Sequence, residues 1–156
     1  MEERDARDIL RWRYTTPYDF YDPPDDDRQD YYVSQFLKPE LMFHAIVDAE
    51  DRFVGYCSYG LDGQVPGGDY SEDALDIGLG MRPEFTGQGR GAAFFNIILD
   101  HGIKILVPDK VRLTVASFNR RAMRLYENFG FIEVDEFSDA LFEVPYTVLT
   151  RDPTNT

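Results

Sequence analysis

The chain has few residues that can form covalent or metal cross-links. Its single cysteine, Cys57, excludes an intramolecular disulfide and a thiolate metal cluster. The two histidines, His44 and His101, are far apart in the sequence, which argues against a structural zinc site. We therefore expect no bound metal and a reducing, cytoplasmic environment. No His or Asp is adjacent to Cys57, so a buried structural thiol is favoured over a catalytic nucleophile.

Long hydrophobic runs are also missing. No segment approaches the roughly 20 apolar residues of a membrane span, so no membrane association is expected. Residues 1–5 are acidic and lack the apolar region of a signal peptide. Residues 151–156 carry no lipidation signal and are predicted to form a C-terminal tail.

Basic residues are scarce. The chain has 29 acidic and 16 basic residues, a net charge of −13. This balance disfavours binding to nucleic acid, because the phosphate backbone would be repelled, and it attracts cationic partners such as amines. An acidic surface also provides solubility, and both interpretations can hold together.

The rest of the composition is typical of a folded protein. With 156 residues, 43% of them hydrophobic, we predict a single domain over residues 1–150. Apolar periodicity and turn residues predict helices over 3–12, 27–37, 89–106 and 120–129, and strands over 41–48, 53–59, 74–82, 111–116, 131–137 and 142–150. This order of elements predicts an α/β domain with a mixed sheet.

The sequence also predicts which residues cap the second helix and which residues form the apolar faces of two other helices. Asp25, Asp26 and Asp27 are expected to cap the second helix. The apolar faces of the first and third helices are expected to comprise Ile9, Leu10 and Trp12, and Ala92, Phe95, Ile98, Leu99 and Ile103, respectively.

A glycine-rich loop, Thr86-Gly87-Gln88-Gly89-Arg90-Gly91, separates a predicted strand from the longest predicted helix. Its glycines allow close approach of an anion, and the helix start favours phosphate. The spacing is not that of the dinucleotide fingerprint, and no Gly-Lys-Ser/Thr follows as in a P-loop. A flexible turn that only reverses the chain is the alternative.

A second block, from Asn119 to Phe131, contains the fourth predicted helix. Asn119 is expected at the N-cap and Gly130 after the C-cap. Leu125 and Phe129, one turn apart, are expected to face the core, and Tyr126 is expected on the helix flank.

The two blocks together resemble the GNAT superfamily of N-acetyltransferases. The segment from Leu79 to Gly91 resembles the family's strand–loop–helix for coenzyme A, and the segment from Asn119 to Phe131 resembles its "N-x-x-A-x-x-x-Y-x-x-x-G-F" block. The resemblance implies an α/β fold with a mixed, mostly antiparallel central sheet flanked by helices. It also implies transfer of an acetyl group from acetyl-CoA to a primary amine by direct attack.

The resemblance further implies roles for individual residues. The backbone of Leu79, Gly80 and Met81 would pair with the pantetheine arm, and Asn119 would bond to the same arm. Tyr126 would protonate the leaving thiolate. The loop residues expected to hold the pyrophosphate are Thr86, Gly87, Gln88, Gly89, Arg90, Gly91 and Ala92.

Three departures from the family leave parts of the site open. Thr86 replaces the usual Arg or Gln, although the glycines remain. Thr114 stands where one branch has a glutamate base, so Asp76 becomes the candidate catalytic base; a hydrogen-bonded strand-end residue is the alternative for Asp76. The family's first strand has no counterpart before residue 3, so it is either absent here or encoded upstream.

The predicted first helices and the loop between them would shape the acceptor site. They combine aromatic residues (Trp12, Tyr14, Tyr18, Phe20, Tyr21, Tyr31, Tyr32) with aspartates (Asp19, Asp22, Asp25, Asp26, Asp27, Asp30). Aromatic faces and carboxylates suit a cationic acceptor, either a small-molecule or a peptide amine. A small aromatic core with a solvated acidic surface is the alternative. A non-catalytic acyl-CoA-binding module is the alternative function, and a homodimer is expected by analogy with the family.

Overall fold

The computed structural model describes residues 1–154; of the expected tail, Asn155 and Thr156 lie outside the described residues. The helices are α1 (Glu3–Ile9), α2 (Gln29–Phe36), α3 (Gly91–Leu106) and α4 (Arg120–Asn128), and the strands are β1 (His44–Val47), β2 (Phe53–Tyr59), β3 (Leu75–Met81), β4 (Val111–Ala116), β5 (Ile132–Ser138) and β6 (Pro145–Arg151). Arg151, which was expected in the tail, is therefore the last residue of a strand. No helix within residues 1–154 is long and apolar enough to cross a membrane.

The strands form a six-stranded sheet in the order β1-β2-β3-β4-β6-β5. The pairs β1–β2, β4–β6 and β5–β6 are antiparallel, and β3–β4 is parallel. The expected mixed, mostly antiparallel sheet is thus confirmed.

The residues fall into two compact units. The first, here the N-terminal unit, comprises Met1–Ser58 and Leu79–Arg90. The second, the C-terminal unit, comprises Tyr59–Gly78 and, of the described residues, 91–154.

The N-terminal unit has two apolar clusters. In one, α1 and α2 bury Ala6, Leu10 and Val33 against each other. In the other, the Trp12 ring lies 5.5 Å from the Phe53 ring, centroid to centroid. Both clusters bury aromatic and aliphatic surface, which is the main favourable term in folding.

The core of the C-terminal unit is centred on Phe95 of α3, which is fully buried. Its ring lies 5.0 Å from the rings of both Tyr126 and Phe129 and 5.9 Å from the ring of Phe131. The block from Asn119 to Phe131 therefore packs directly on α3.

The first two helices are shorter than predicted. α1 ends at Ile9 because the next N–H groups bond three residues back, Arg11 to Asp8 and Trp12 to Ile9. The aspartate run does not cap α2. Its N-cap is Arg28, which makes no side-chain cap, and Asp26 instead accepts the Arg28 N–H at 2.9 Å.

Two strands, β1 and β6, begin three residues later than predicted. β1 starts at His44 because residues 39–41 form a single 3₁₀ turn and Met42 adopts a left-handed conformation with φ 51°. β6 starts at Pro145 because the Asp139 carboxylate accepts the N–H groups of Leu141 and Phe142, which closes a turn.

The buried faces of the later helices differ in part from expectation. On α3, Ala92 is exposed, whereas Phe94 and Gly102 are buried together with Phe95, Ile98 and Leu99. On α4, the expectation that Tyr126 lies on the flank is wrong. Met123 and Tyr126, three residues apart and so on one face, are buried, whereas Leu125 and Phe129 are half-buried.

Candidate functional site

The parallel ladder between β3 and β4 is short. It contains two residue pairs among the described residues, Leu75 with Val111 and Asp76 with Arg112, both at the start of the strands. β3 nevertheless continues for five more residues, to Met81. Where a strand extends beyond its ladder with a neighbouring strand, its backbone N–H and C=O groups on that side can pair with another extended chain.

The glycine-rich loop follows β3 and leads directly into α3. Gly87 and Gly89 have φ values of 71° and 73°, a left-handed conformation that favours glycine. A Cβ added at Gly89 would meet nothing within 4 Å, so the loop surface is open there. The N–H groups of Gly89 and Arg90 bond to no acceptor within residues 1–154. Free N–H groups at the start of a helix generally favour a bound anion. The helix that follows this loop has 16 residues.

Side chains of the loop hold its conformation. The Thr86 hydroxyl donates to the Pro83 carbonyl at 2.7 Å, and the Gln88 amide donates to the Glu84 carbonyl at 2.7 Å. The Arg90 guanidinium lies 4.7 Å from the centroid of the Phe85 ring. Thr86 therefore stabilises the turn through its own side chain.

Asn119 begins α4 as predicted. Its Oδ1 accepts the Ala122 N–H at 3.1 Å, which satisfies one of the free donors at the helix start. Gly130 follows the helix with φ 88°, as expected of the residue after a C-cap. Both local predictions are confirmed.

Tyr126 is 7% exposed, and its ring is held among Phe95 and Phe131. A phenol fixed by aromatic neighbours has a defined direction and little rotamer freedom. A side chain that has to present its hydroxyl in one fixed direction needs packing of this kind.

Asp76 is engaged in a buried ion pair. Arg112 donates from Nε and Nη2 to the two carboxylate oxygens at 2.6 and 2.8 Å, and Gln64 donates to Oδ2 at 2.9 Å. The hydrogen bond to Asp76 raises the pKa of the Arg112 guanidinium, which therefore stays charged. With both oxygens occupied, this geometry favours the alternative that the sequence left open, a hydrogen-bonded strand residue.

Tyr70 is a residue of this region that sequence reasoning did not single out. Its hydroxyl accepts the Val65 N–H at 2.9 Å and shares a hydrogen bond with Thr114 Oγ1 at 3.0 Å. The Arg112 guanidinium lies 4.8 Å from the centre of its ring. No motif marked Tyr70, since it lies in a Gly/Pro/Asp loop 44 residues before Thr114.

In the N-terminal unit, half of the acidic residues between 19 and 30 have cationic partners. Asp25, Asp26 and Asp30 form ion pairs with Arg13, Arg28 and Arg7, respectively. Asp22 accepts the Tyr14 N–H at 2.8 Å. The remaining two, Asp19 and Asp27, are exposed and make no side-chain bond within the described part of the chain.

Known proteins resemble this chain in sequence and in fold. A family model described as "Acetyltransferase (GNAT) family" matches residues 4–131. The curated spermidine N(1)-acetyltransferase of Vibrio cholerae is 25% identical over 135 residues, which are 84% of this chain and 72% of that protein.

Solved structures with low sequence identity share the fold. A mutant of the spermidine N-acetyltransferase SpeG from Vibrio cholerae has a TM-score of 0.71 at 20% identity, covering 98% of this chain and 91% of that chain. A chimera of SpeG with hSSAT has a TM-score of 0.72 at 18% identity, covering 98% and 92%.

The family match spans most of the chain and contains both blocks that carried the resemblance, the strand–loop–helix from Leu79 to Gly91 and the segment from Asn119 to Phe131. The sheet order and the caps of α4 agree with it. The chain therefore belongs to the GNAT family of acetyltransferases and is an acyl-CoA-dependent N-acyltransferase.

Proposed function

We propose that this acetyltransferase acts on a small polycationic amine of the polyamine class. The acidic surface of the N-terminal unit carries this proposal: six aspartates and one arginine lie between residues 19 and 30. Clustered carboxylates concentrate a polycation and orient its several ammonium groups. The curated relative, itself named a spermidine N(1)-acetyltransferase, supports the same substrate class.

For the donor, we propose that acetyl-CoA binds along the end of β3 and the following loop. The early end of the β3–β4 ladder supports backbone pairing of the pantetheine arm with Leu79, Gly80 and Met81. The unbonded N–H groups of the loop support pyrophosphate binding. The residues proposed to hold the pyrophosphate run from Thr86 to Ala92.

For the chemistry, we propose direct attack. The neutral amine nitrogen attacks the thioester carbonyl carbon, and the tetrahedral intermediate collapses with cleavage of the carbon–sulfur bond. Tyr126 gives its proton to the leaving thiolate. The proton that the attacking nitrogen loses passes to solvent water, and the Tyr126 phenolate regains a proton from the solvent. The amide nitrogen of Asn119 donates to the pantetheine arm. Asp76 is assigned a structural role, because Arg112 and Gln64 occupy its oxygens.

An acceptor panel tests the substrate class. Purified protein is given acetyl-CoA and one amine at a time, and release of free thiol is followed. Polyamines are expected to give the highest kcat/KM, above amino acids, aminoglycosides and N-terminal peptides. A higher kcat/KM for a neutral or singly charged amine would contradict the proposal.

A pair of charge-matched variants tests the acidic surface. The double variant Asp19→Asn with Asp27→Asn removes two carboxylates from the N-terminal unit, and Glu133→Gln with Asp135→Asn removes two exposed carboxylates from β5. The first is expected to raise the polyamine KM about threefold or more, and the second to leave it unchanged, at low ionic strength. Equal KM values for both variants would mean that the acidic run serves only solubility.

A further inference from the structure

Arg82, the residue after β3, is held by several contacts within the N-terminal unit. Its backbone N–H donates to the Val54 carbonyl at 2.8 Å, its Nε donates to the Phe53 carbonyl at 2.7 Å, and its Nη2 donates to the Asp8 carboxylate. The guanidinium also lies 5.5 Å from the Trp12 ring centroid. The backbone immediately beyond the strand is therefore fixed.

Gly80, near the end of the strand, is fixed by close packing. A Cβ at this position would lie 2.5 Å from Cε1 of Tyr56, so the backbone of β3 rests directly against that ring. Only glycine allows this approach.

Met81 lies between these two positions, and its carbonyl has a side-chain donor. The Tyr14 hydroxyl donates to the Met81 carbonyl oxygen at 2.7 Å, across 67 residues of sequence. Tyr14 is in turn held by its own N–H, which donates to Asp22 Oδ1 at 2.8 Å. A single phenol thus joins the acidic aromatic segment after α1 to the end of β3.

The protonation state of Tyr14 suits this bond. Burial raises the pKa of the Tyr14 phenol above its ordinary value of 10.0, with smaller contributions from Tyr56, Asp22 and Glu84. The phenol therefore remains a donor at neutral pH. A carbonyl oxygen has two lone pairs, so the Met81 carbonyl can accept a second bond as well.

We propose that Tyr14 is a positioning residue for the acyl donor, acting through the Met81 carbonyl. This inference rests on the proposed function, because it takes the backbone of Leu79, Gly80 and Met81 as the surface that pairs with the pantetheine arm. Extended-chain pairing needs backbone groups held in register, and the Tyr14 phenol fixes the last of the three residues.

Tyr14→Phe removes the bond and keeps the ring. Loss of one hydrogen bond is expected to raise the Kd and KM for acetyl-CoA about three- to tenfold. The kcat at saturating donor is expected to stay within about twofold, since the Tyr14 phenol acts on the backbone that pairs with the donor and not on the reacting atoms. Hydrogen exchange of the segment around Met81 is expected to quicken in the variant. An unchanged acetyl-CoA Kd, or a fall in kcat alone, would overturn the inference.

Tyr32→Phe is the matched control, since it also removes a phenol that is hydrogen-bonded within the N-terminal unit, to Asp26 at 2.7 Å. It is expected to leave the acetyl-CoA Kd unchanged, and an equal rise in both variants would contradict a specific role for Tyr14. If Tyr14→Phe does not fold, Asp22→Ala weakens the hold on Tyr14 without touching the phenol. It is expected to raise the acetyl-CoA Kd about twofold, and no rise there would equally count against the inference.

Experiments can refute the proposed donor site and the proposed role of Tyr14 separately. If the wild-type protein does not bind acetyl-CoA, or if binding is insensitive to Gly89→Ala in the loop, the proposed donor site is wrong. If the wild-type protein binds and Gly89→Ala weakens binding but Tyr14→Phe does not, only the role of Tyr14 is lost.

Discussion

Arg112 and Asp76 form a bidentate ion pair in which both residues are almost completely buried, at 4% and 3% exposure. Arg112 also donates to the Glu72 carbonyl at 2.9 Å, and Asp76 also accepts from Gln64. The pair joins the second residues of the two parallel strands, β3 and β4, within their short ladder. A carboxylate so engaged is poorly placed to take a proton from an amine.

Replacing Asp76 with Asn is expected to destabilise the fold. The substitution leaves the Arg112 charge buried without its counter-ion, which costs about 3–5 kcal/mol of unfolding free energy. Turnover per folded molecule is expected to fall by less than about tenfold, because no proton is transferred through Asp76. Urea unfolding and active-site-normalised kcat measure the two effects.

Glu72→Gln serves as the control, because Glu72 pairs with Lys110 at an exposed position. Its unfolding curve is expected to match the wild type. A kcat lowered by three orders of magnitude in a folded Asp76→Asn protein would instead restore Asp76 as the catalytic base.

Tyr126→Phe is expected to separate catalysis from binding. The ring packing on Phe95 is retained, but the proton for the leaving thiolate is lost, so kcat falls about 100-fold. The Kd for coenzyme A stays within about twofold, since the hydroxyl acts only when the carbon–sulfur bond breaks. Steady-state kinetics and calorimetric titration give the two values.

Tyr59→Phe is a suitable comparison within the same unit. Tyr59 is buried, and its hydroxyl donates to the Ile98 carbonyl at 2.8 Å. Its loss is expected to cost about 1 kcal/mol of stability with kcat unchanged. Equal kcat for Tyr126→Phe and the wild type would remove Tyr126 from the role of acid.

Gly89→Ala tests the loop as a phosphate site. The residue has φ 73°, and an added Cβ would meet nothing within 4 Å, so the cost to folding is backbone strain of about 1–2 kcal/mol. The methyl group and the altered N–H direction are expected to raise the Kd for coenzyme A about tenfold. Binding is measured by calorimetry, and folding by thermal unfolding.

Gly60→Ala is closely matched, because Gly60 also has a positive φ, 126°, and open space around its Cβ position. Both variants are expected to lose stability, but only Gly89→Ala is expected to lose affinity for coenzyme A. Similar affinity losses in the two would attribute the effect to general destabilisation.

The bounds of helices and strands were predicted best where the hydrophobic pattern and the flanking turn or cap residues agree. β2 and β4 have the predicted bounds, because short alternating or apolar runs are flanked by turn residues. Asn119 and Gly130 mark α4 for local reasons, a side-chain cap and a positive φ. The glycine-rich loop was recognisable because the backbone conformation favours glycine at Gly87 and Gly89, and because its glycines stand in one continuous segment.

Contacts between distant residues were not predictable in the same way. The carboxylate of Asp76 was identified, but its partner Arg112 is 36 residues away, and no periodicity selects one arginine among many. Tyr14 was one of seven aromatics in its region, and its bond to the Met81 carbonyl depends on how an irregular segment folds back. The buried position of Tyr126 was missed because the neighbouring Leu125 is more apolar and was therefore predicted to face the core. In the structure, α4 instead buries Met123 and Tyr126.

The Tyr14 phenol also predicts how stability depends on pH. Burial raises its pKa in the folded state above the ordinary 10.0, so between these two values the unfolded chain loses a proton that the folded protein keeps. The stabilising contribution is therefore complete below pH 10.0 and declines as the pH rises above it, by at most about 1.4 kcal/mol per pH unit. Tyr14→Phe lacks the titrating group and is expected to lose less stability over the same range. Urea unfolding of both proteins from neutral pH to the alkaline limit measures the difference, and parallel curves would show that the phenol is not held in a buried, protonated state.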